Sequence, residues 1–192
     1  MPYTRTMASI ALDPAYRRVS VEEFLQMDFG GAKAELEDGI IFMMAGGTPE
    51  HALLAARLIR RLGNALDGSG CEPVGSDMGL RTAERTVRYP DVSVYCGSLS
   101  GADDSRPSEP RLIVEVLSPS TADHDQNVKL IEYQRLLGVQ EVMFIDPMTG
   151  AVRVVRRTGA DDWSTRWLRG DEHLEFSSID VTLTRSELGL PG

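Results

Sequence analysis

The stretch that decides the fold is RLIVEVLSPSTADHDQNVKLIEYQRLLGVQEVMFID, residues 111–146. It opens on the apolar run LIVEVL (112–117) and closes on a second apolar run, EVMFI (141–145), and a helix-forming segment lies between them. Two buried strands joined by a helix indicate a parallel βαβ step. The unit therefore predicts an α/β or α+β fold with a mixed central sheet.

The elements around this unit are also marked by turn and cap residues. Ser20 and Glu23 form a capping-box pattern before a short helix that should reach about Met27. The pair Asp38-Gly39 divides two extended pieces and predicts a hairpin. Residues 71–97 should hold two or three strands, residues 141–157 a strand, turn and strand, and residues 163–170 one more strand, before a short amphipathic end near 184–190.

Two helices carry the clearest periodic patterns. The first should begin at Thr48 and Pro49 and bury one leucine face. That face comprises Leu53, Leu54, Leu58, Leu62 and Leu66. The helix within the βαβ unit should begin at Thr121 or Asp123. Its predicted core-facing positions are Val128, Leu130, Ile131 and Leu137.

Composition indicates one globular domain and argues against one class of binding partner. The chain has 192 residues, 42% of them hydrophobic, which suits a single domain over 19–192 after an N-terminal tail over 1–18. The net charge of −9 argues against a nonspecific polyanion binder, because such binding needs clustered positive charge. The basic residues are almost all arginine, and the lysines are Lys33 and Lys129.

The cellular compartment of the protein is predicted from features that the sequence lacks. Cys71 and Cys96 make no disulfide framework, and no signal peptide or long apolar run is visible. We therefore expect a protein of the reducing cytoplasm that does not enter a membrane.

Two carboxylates stand where strands should be apolar. Glu115 lies in the middle of LIVEVL, and Asp91 follows Pro90 at the start of a strand, where aspartate is depleted. If these strands are neighbours, the two carboxylates can converge, and a cation between them would relieve their repulsion. Mg²⁺ is commonly held by one or two carboxylates together with water and phosphate oxygens. Glu35 is a third candidate. The competing interpretation makes Asp91 a turn cap and pairs Glu115 with an arginine such as Arg88.

Lys129 lies on the helix that follows the Glu115 strand. Asp125, Lys129 and Tyr133 are spaced by four residues and share one helix face. In one interpretation, Asp125 and Lys129 form a solvated pair contributing about 0.3–0.5 kcal/mol. In the other, the helix directs Lys129 at the carboxylates, where its ammonium could stabilise charge on a phosphate.

The remaining polar candidates are weaker. His51, His124 and His173 show no zinc-binding spacing, and His51 is the one that the preceding glycine loop could bring near a groove. Arg57, Arg60 and Arg61 on the first long helix could contact a DNA backbone or form a solvated face.

Several of these motifs together resemble a known family. The Pro-Asp of YPDVSVY (89–95), the glutamate of LIVEVLSPST (112–121) and a nearby lysine resemble the PD-(D/E)XK nuclease superfamily. Within it, these motifs together with AELEDGIIFMM (34–44) and PEHALLAARLIRRL (49–62) are similar to a widespread bacterial family of restriction-endonuclease-like proteins. The resemblance runs from about Ser20 to Asp180.

The resemblance implies a restriction-endonuclease-like mixed central sheet flanked by helices, in a chain that is often a homodimer. It implies that Asp91 and Glu115 form the metal-binding pair and that Glu35 is the N-terminal acidic position. The superfamily's lysine is expected two residues after Glu115, where this chain has Leu117. Lys129 on the following helix matches the position to which this family's lysine has moved.

We therefore expect an endonuclease that uses Mg²⁺, or alternatively Mn²⁺, to hydrolyse DNA phosphodiesters. Its catalytic set would be Glu35, Asp91, Glu115 and Lys129, with Glu35 acting through a water on the metal. One alternative is a catalytically silent dimeric module of the same fold that binds nucleic acid or regulates. Another is a metal-dependent hydrolase of a small phosphate ester, which would need a small closed pocket rather than an open groove.

Overall fold

The computed structural model describes residues 17–44, 46–97, 99, 109–118 and 125–191. The predicted tail over 1–18 therefore lies almost entirely outside the described residues. The predicted helix start at Thr121 or Asp123 and His124 lie outside them as well.

Twelve strands, β1 to β12, run through the described residues in chain order. They are Ala34–Glu37, Ile40–Met43, Cys71–Gly75, Leu80–Ala83, Thr86–Arg88, Val92–Cys96, Leu112–Val116, Glu141–Ile145, Val152–Arg157, Trp163–Leu168, Leu174–Phe176 and Val181–Leu183. The segment 71–97 holds four strands, β3 to β6, where two or three were predicted. The additional strand arises because the turn at residues 84–85 folds 80–88 into its own short hairpin.

The main sheet is mixed, as the βαβ unit predicted. Six described strands pair in the order β10-β9-β8-β7-β6-β3. β7 and β8 are parallel, with Glu115 opposite Phe144, and the other neighbours are antiparallel. β6 and β7 are adjacent, with Val92 opposite Val114. This adjacency is the condition that the two-carboxylate interpretation required.

A second sheet stands beside the first and carries Glu35. Four described strands pair in the order β2-β1-β5-β4, and the hairpin predicted at Asp38-Gly39 joins β1 to β2. Leu36 pairs with Val87, so Glu35 and Arg88 are neighbours on one face of this sheet. A small β11-β12 pair completes the strands.

The helices lie at Val21–Leu25 (α1), Pro49–Leu66 (α2), Leu130–Arg135 (α3) and Arg185–Leu188 (α4) in the described residues. α1 has the predicted capping box of Ser20 and Glu23, although it ends two residues before Met27. Thr48 caps α2, with its side-chain oxygen accepting from the His51 N–H. α2 covers one face of the main sheet through Leu54, Leu58 and other buried leucines. Leu53, predicted to be buried, is 54% exposed.

The helix within the βαβ unit faces the core differently from the prediction. Its first turn, Asp125–Lys129, is π-helical and leads directly into α3. Leu130 is buried as predicted, together with Tyr133 and Leu136, which were not assigned to the core face. Lys129 is also buried, as the interpretation that directed it at the carboxylates expected. The other three predicted core positions are exposed: Val128, Ile131 and Leu137. The short helix turns the side that carries Lys129 and Tyr133 toward the sheets, so these apolar residues point outward.

Two observations bear on compartment and membrane. Cys71 on β3 and Cys96 on β6 lie opposite each other and form a disulfide. This bond removes the cysteine argument for a reducing compartment, and the cytoplasmic location stays a prediction. None of the helices in the described part of the chain has both the length and the apolar character needed to span a membrane.

Candidate functional site: a buried carboxylate cluster

Glu115 is the fourth of the five residues of β7 and is only 3% exposed. The hydroxyl of Tyr133 donates a hydrogen bond to its Oε1 at 2.5 Å. The Nζ of Lys129 lies 3.7 Å from the same oxygen. Both partners come from the helical segment that follows the strand, so the parallel crossover itself brings them to the carboxylate.

Lys129 reaches two carboxylates from the last position of the π-helical turn. Besides Glu115, its Nζ lies 3.0 Å from Oε1 of Glu35, which is 94 residues away in sequence. The residue is buried. π-helical turns within helices often occur at functional sites. A lysine therefore stands beside Glu115 although Leu117 occupies the position two residues after it.

Glu35 is buried on β1, and both of its oxygens have partners. Oε1 accepts from the Lys129 ammonium and from the Tyr89 backbone N–H at 3.3 Å. Oε2 accepts from Nη1 of Arg88 at 3.2 Å. The β1–β5 pairing sets this contact, because it places Glu35 and Arg88 side by side.

Arg88 is the buried centre of the second sheet's polar face, with 1% exposure. Its Nη2 donates to Glu37 at 2.9 Å and to Glu132 of α3 at 2.6 Å. Burial alone would lower the pKa of Arg88, but the adjacent carboxylates, Glu132 first, outweigh it and hold the pKa above its ordinary value. The pairs described for Arg88 are with Glu35, Glu37 and Glu132, and those described for Glu115 are with Tyr133 and Lys129.

Among the described contacts, four carboxylates surround two cations. Glu35, Glu37, Glu115 and Glu132 face Arg88 and Lys129 across these contacts. The two cations thereby join the second sheet, the main sheet and α3.

Tyr133 is fully buried beside this charge. Burial raises the pKa of Tyr133 well above its ordinary value, and the nearby charge of Glu115 raises it further. The phenol therefore keeps its proton at neutral pH and acts as a hydrogen-bond donor to Glu115.

Asp91 directly precedes β6, next to β7. The backbone pairing between β6 and β7 ends at Val92 and Val114. The next backbone N–H of β7 that points toward β6 belongs to Val116. Oδ2 of Asp91 accepts a hydrogen bond from that N–H at 2.8 Å and lies 3.2 Å from Nε2 of His51. The side chain of Asp91 is 15% exposed, so it sits at the rim of the cluster.

The structure thus brings Glu35, Glu115 and Lys129 into direct contact and places Asp91 beside β7 through the Val116 backbone. Their catalytic and metal-binding roles stay predictions. Among the described residues, no group of three or more His, Cys, Asp or Glu side chains is arranged to hold a metal. The predicted pair of carboxylates with water and a backbone oxygen does not require such a group.

Sequence reasoning missed several members of the site. Arg88 and Glu132 were not predicted in it, because their contacts depend on how the two sheets and α3 pack. The sequence pointed to Tyr133 through its spacing of four residues from Lys129, but it indicated no role for the tyrosine. It pointed to His51 only through the glycine-rich loop that precedes α2.

Two of the three arginines proposed on α2 to contact DNA instead make contacts within the protein. Nη1 of Arg57 donates to the backbone oxygen of Leu188 at 3.0 Å, and Arg61 lies 3.7 Å from Glu187. Both therefore tie α2 to the C-terminal helix α4. Arg60 remains exposed.

The mixed sheet, its flanking helices and the buried acidic cluster with a lysine define a restriction-endonuclease-like class of protein. The Uma2 family model, described as "Putative restriction endonuclease", matches residues 21–184. This chain belongs to that family.

Similar proteins support both the family and the fold. Two uncharacterized proteins of Synechocystis sp. PCC 6803 align over most of the chain. The protein slr1290 is 31% identical over 87% of this chain and 89% of its own length, and sll1609 is 32% identical over 85% and 95%. A crystal structure from Anabaena variabilis ATCC 29413, described as a "putative nuclease", superposes with a TM-score of 0.73 over 88% of this chain and 97% of that chain. At 17% identity, this last likeness establishes the fold.

Proposed function

We propose that this protein is an endonuclease that hydrolyses DNA phosphodiesters with Mg²⁺, or Mn²⁺ in its place, held by Asp91 and Glu115. The observation that carries the proposal is the position of Lys129. Its ammonium lies 3.7 Å from Glu115 and 3.0 Å from Glu35, although it comes from a helix rather than from the Glu115 strand. Paired carboxylates can bind a metal that activates water, and a lysine beside them can stabilise the negative charge that develops on a phosphodiester.

The donor chemistry of the site fits a small divalent cation. Carboxylate and carbonyl oxygens are the ligands that Mg²⁺ and Mn²⁺ prefer. Oδ2 of Asp91 is held by hydrogen bonds, whereas Oδ1 accepts none from the described residues. The Val116 carbonyl is a further candidate, since the N–H and C=O of one strand residue point to the same side.

Each residue would have its own task. A bound Mg²⁺ would neutralise a phosphate and make a water molecule more acidic. Lys129 would orient the attacking water and stabilise the negative charge that develops on the phosphate. Glu35 would hold the Lys129 ammonium and, with a remaining lone pair, a water at the metal. Tyr133 would hold Glu115.

Two cavities are described, and neither is lined by the four proposed catalytic residues. One of about 230 Å³ lies beside Arg156 and Arg166, and another of about 220 Å³ lies beside Phe24 and Tyr89. The choice of DNA over a small phosphate ester rests on the family match. Assembly as a homodimer and location in the cytoplasm remain part of the proposal.

The test is nicking of supercoiled plasmid DNA in Mg²⁺, in Mn²⁺ and with chelator. Asp91→Asn keeps a hydrogen-bond acceptor for Val116 and removes the charge, and Lys129→Met keeps most of the side-chain length. We expect each to lower the metal-dependent nicking rate by about 100-fold or more, the usual size for losing one such electrostatic group. Lys33 and Asp77 form an exposed ion pair elsewhere, so Lys33→Met and Asp77→Asn are matched controls.

The outcomes separate the candidate functions. Nicking that persists unchanged in both site variants would show that the site is wrongly assigned. Wild-type protein that binds plasmid but never nicks it with either metal would favour the catalytically silent binding module. Thermal unfolding of every variant should accompany the assay, because Lys129→Met leaves buried glutamates with less positive charge.

A further inference from the structure

We infer that His51 is a positioning residue that orients Asp91 for the metal. The inference rests on the proposed function, because it concerns the same site. Nothing in the family match or in the relatives assigns a role to this histidine.

The contact geometry determines which atom donates. Nε2 of His51 lies 3.2 Å from Oδ2 of Asp91, and both side chains are largely buried. An ionised carboxylate only accepts hydrogen bonds, so Nε2 carries the proton. The Val116 N–H donates to the same oxygen at 2.8 Å. Two donors on one oxygen fix the rotation of the carboxylate and leave Oδ1 for a cation.

The position of His51 is fixed by a backbone hydrogen bond and by the space around its ring. Its N–H donates to the Thr48 cap in the first turn of α2, and the helix is anchored in the core by Leu54 and Leu58. A Cβ on Gly47 would lie 2.9 Å from Nδ1 of His51. Glycine at position 47 therefore leaves the space that the imidazole ring occupies. The GG pair before α2 has a steric role in this arrangement.

Hydrogen-bond donors to a metal-binding carboxylate orient the ligand, and removing one typically weakens metal affinity by about 10–100-fold. The competing role is direct ligation, in which a ring nitrogen of His51 would bind the metal. The two roles differ in what can replace the histidine. A glutamine amide can donate a hydrogen bond from a similar distance, but it does not supply an imidazole nitrogen to a metal.

The experiment measures binding of MnCl₂ alone to the full chain by titration calorimetry, without DNA. We expect His51→Ala to weaken binding by about 10–100-fold and His51→Gln to restore affinity to within about threefold of wild type. Gly47→Ala should also weaken binding, because it displaces an intact imidazole. His173→Ala, a substitution of an exposed histidine away from the site, should bind as wild type does. Thermal unfolding identifies any variant that loses its fold.

Pulsed EPR of the Mn²⁺ complex supplies the second readout. We expect no nitrogen coupling from His51 in wild type; a coupling that disappears in His51→Ala would make His51 a ligand and overturn the inference. Unchanged affinity in His51→Ala, or a Gln variant as weak as the Ala variant, would overturn it while leaving the proposed function intact. Wild type that binds no Mn²⁺ would overturn the proposed function, and the role of His51 with it.

Discussion

At the scale of single residues, the protein surrounds the buried carboxyl group of Glu115 with specific donors. An ionised carboxylate buried without partners would cost several kcal/mol. The Tyr133 hydroxyl at 2.5 Å and the Lys129 ammonium at 3.7 Å offset that cost. Both also constrain where the carboxylate can point, so the groups that stabilise the site also shape it.

Removing the Tyr133 hydroxyl tests this arrangement. We expect Tyr133→Phe to lower the free energy of unfolding by about 1.5–3 kcal/mol, the size for a hydrogen bond to a charged group. The matched control is Tyr95→Phe. Tyr95 is also buried, but its hydroxyl has no hydrogen-bond partner among the described residues, so its loss should be close to neutral. Chemical denaturation measures both, and equal losses would contradict the proposed role of the Tyr133–Glu115 contact.

The same variant should change how stability depends on alkaline pH. The pKa of Tyr133 is raised in the folded protein, so its contribution to stability is fully present below the unfolded value of about 10. That contribution is lost as the pH rises above 10 toward the folded pKa. Tyr133→Phe should therefore lose stability less steeply than wild type above pH 10. An identical slope in the two proteins would show that Tyr133 does not titrate as its burial requires.

Residue chemistry alone predicted part of the site. The anomalies of Asp91 and Glu115 could be read from strands that should be apolar, and the spacing of Lys129 and Tyr133 indicated a shared face. The buried contacts of Arg88 with Glu35 and Glu132 could not be read from the sequence. They join residues from three separate segments whose packing no local pattern specifies.

At the scale of elements, the strongest local signals gave the correct structures. The Thr48-Pro49 start of α2 and the Asp38-Gly39 hairpin both agree with the structure. The helix after β7 is the exception, because periodicity assigned Val128, Ile131 and Leu137 to the core. In such a short helix, the buried ion pairs and Tyr133 decide which side faces inward, and apolar spacing carries little weight.

The Cys71–Cys96 bond is a second element-scale feature that the sequence did not predict. It ties the edge strand β3 to β6 and closes a separation of 25 residues. Chain-entropy reasoning gives about 3.5 kcal/mol for a loop of that size. We expect the double variant Cys71→Ser and Cys96→Ser to lose roughly 2–4 kcal/mol of unfolding free energy. Full stability in the double variant, or two free thiols in the unreduced wild-type protein, would contradict the bond.

At the scale of the whole molecule, the site takes its residues from elements on both faces of the mixed sheet. The parallel step from β7 to β8 carries Lys129 and Tyr133 over one face, while α2 brings His51 to the rim from the other. The fold class could be predicted because residues 111–146 specify this step. The relation of the two sheets could not, because it depends on contacts such as those of Lys129, which links Glu35 of the second sheet to Glu115 of the main sheet.

The overall charge of −9 belongs to this scale as well. A protein so acidic gains little from nonspecific attraction to DNA. A divalent cation at the carboxylates would make approach of a phosphate favourable where the chain's own charge opposes it. The proposed function therefore depends on a metal bound between β6 and β7.

The most direct test is an anomalous difference map from crystals of the wild-type protein grown with MnCl₂. We expect a manganese peak within bonding distance of carboxylate oxygens from both Asp91 and Glu115, and no peak there in Asp91→Asn. A peak that touches neither residue, or an empty map at saturating Mn²⁺, would contradict the proposed metal site.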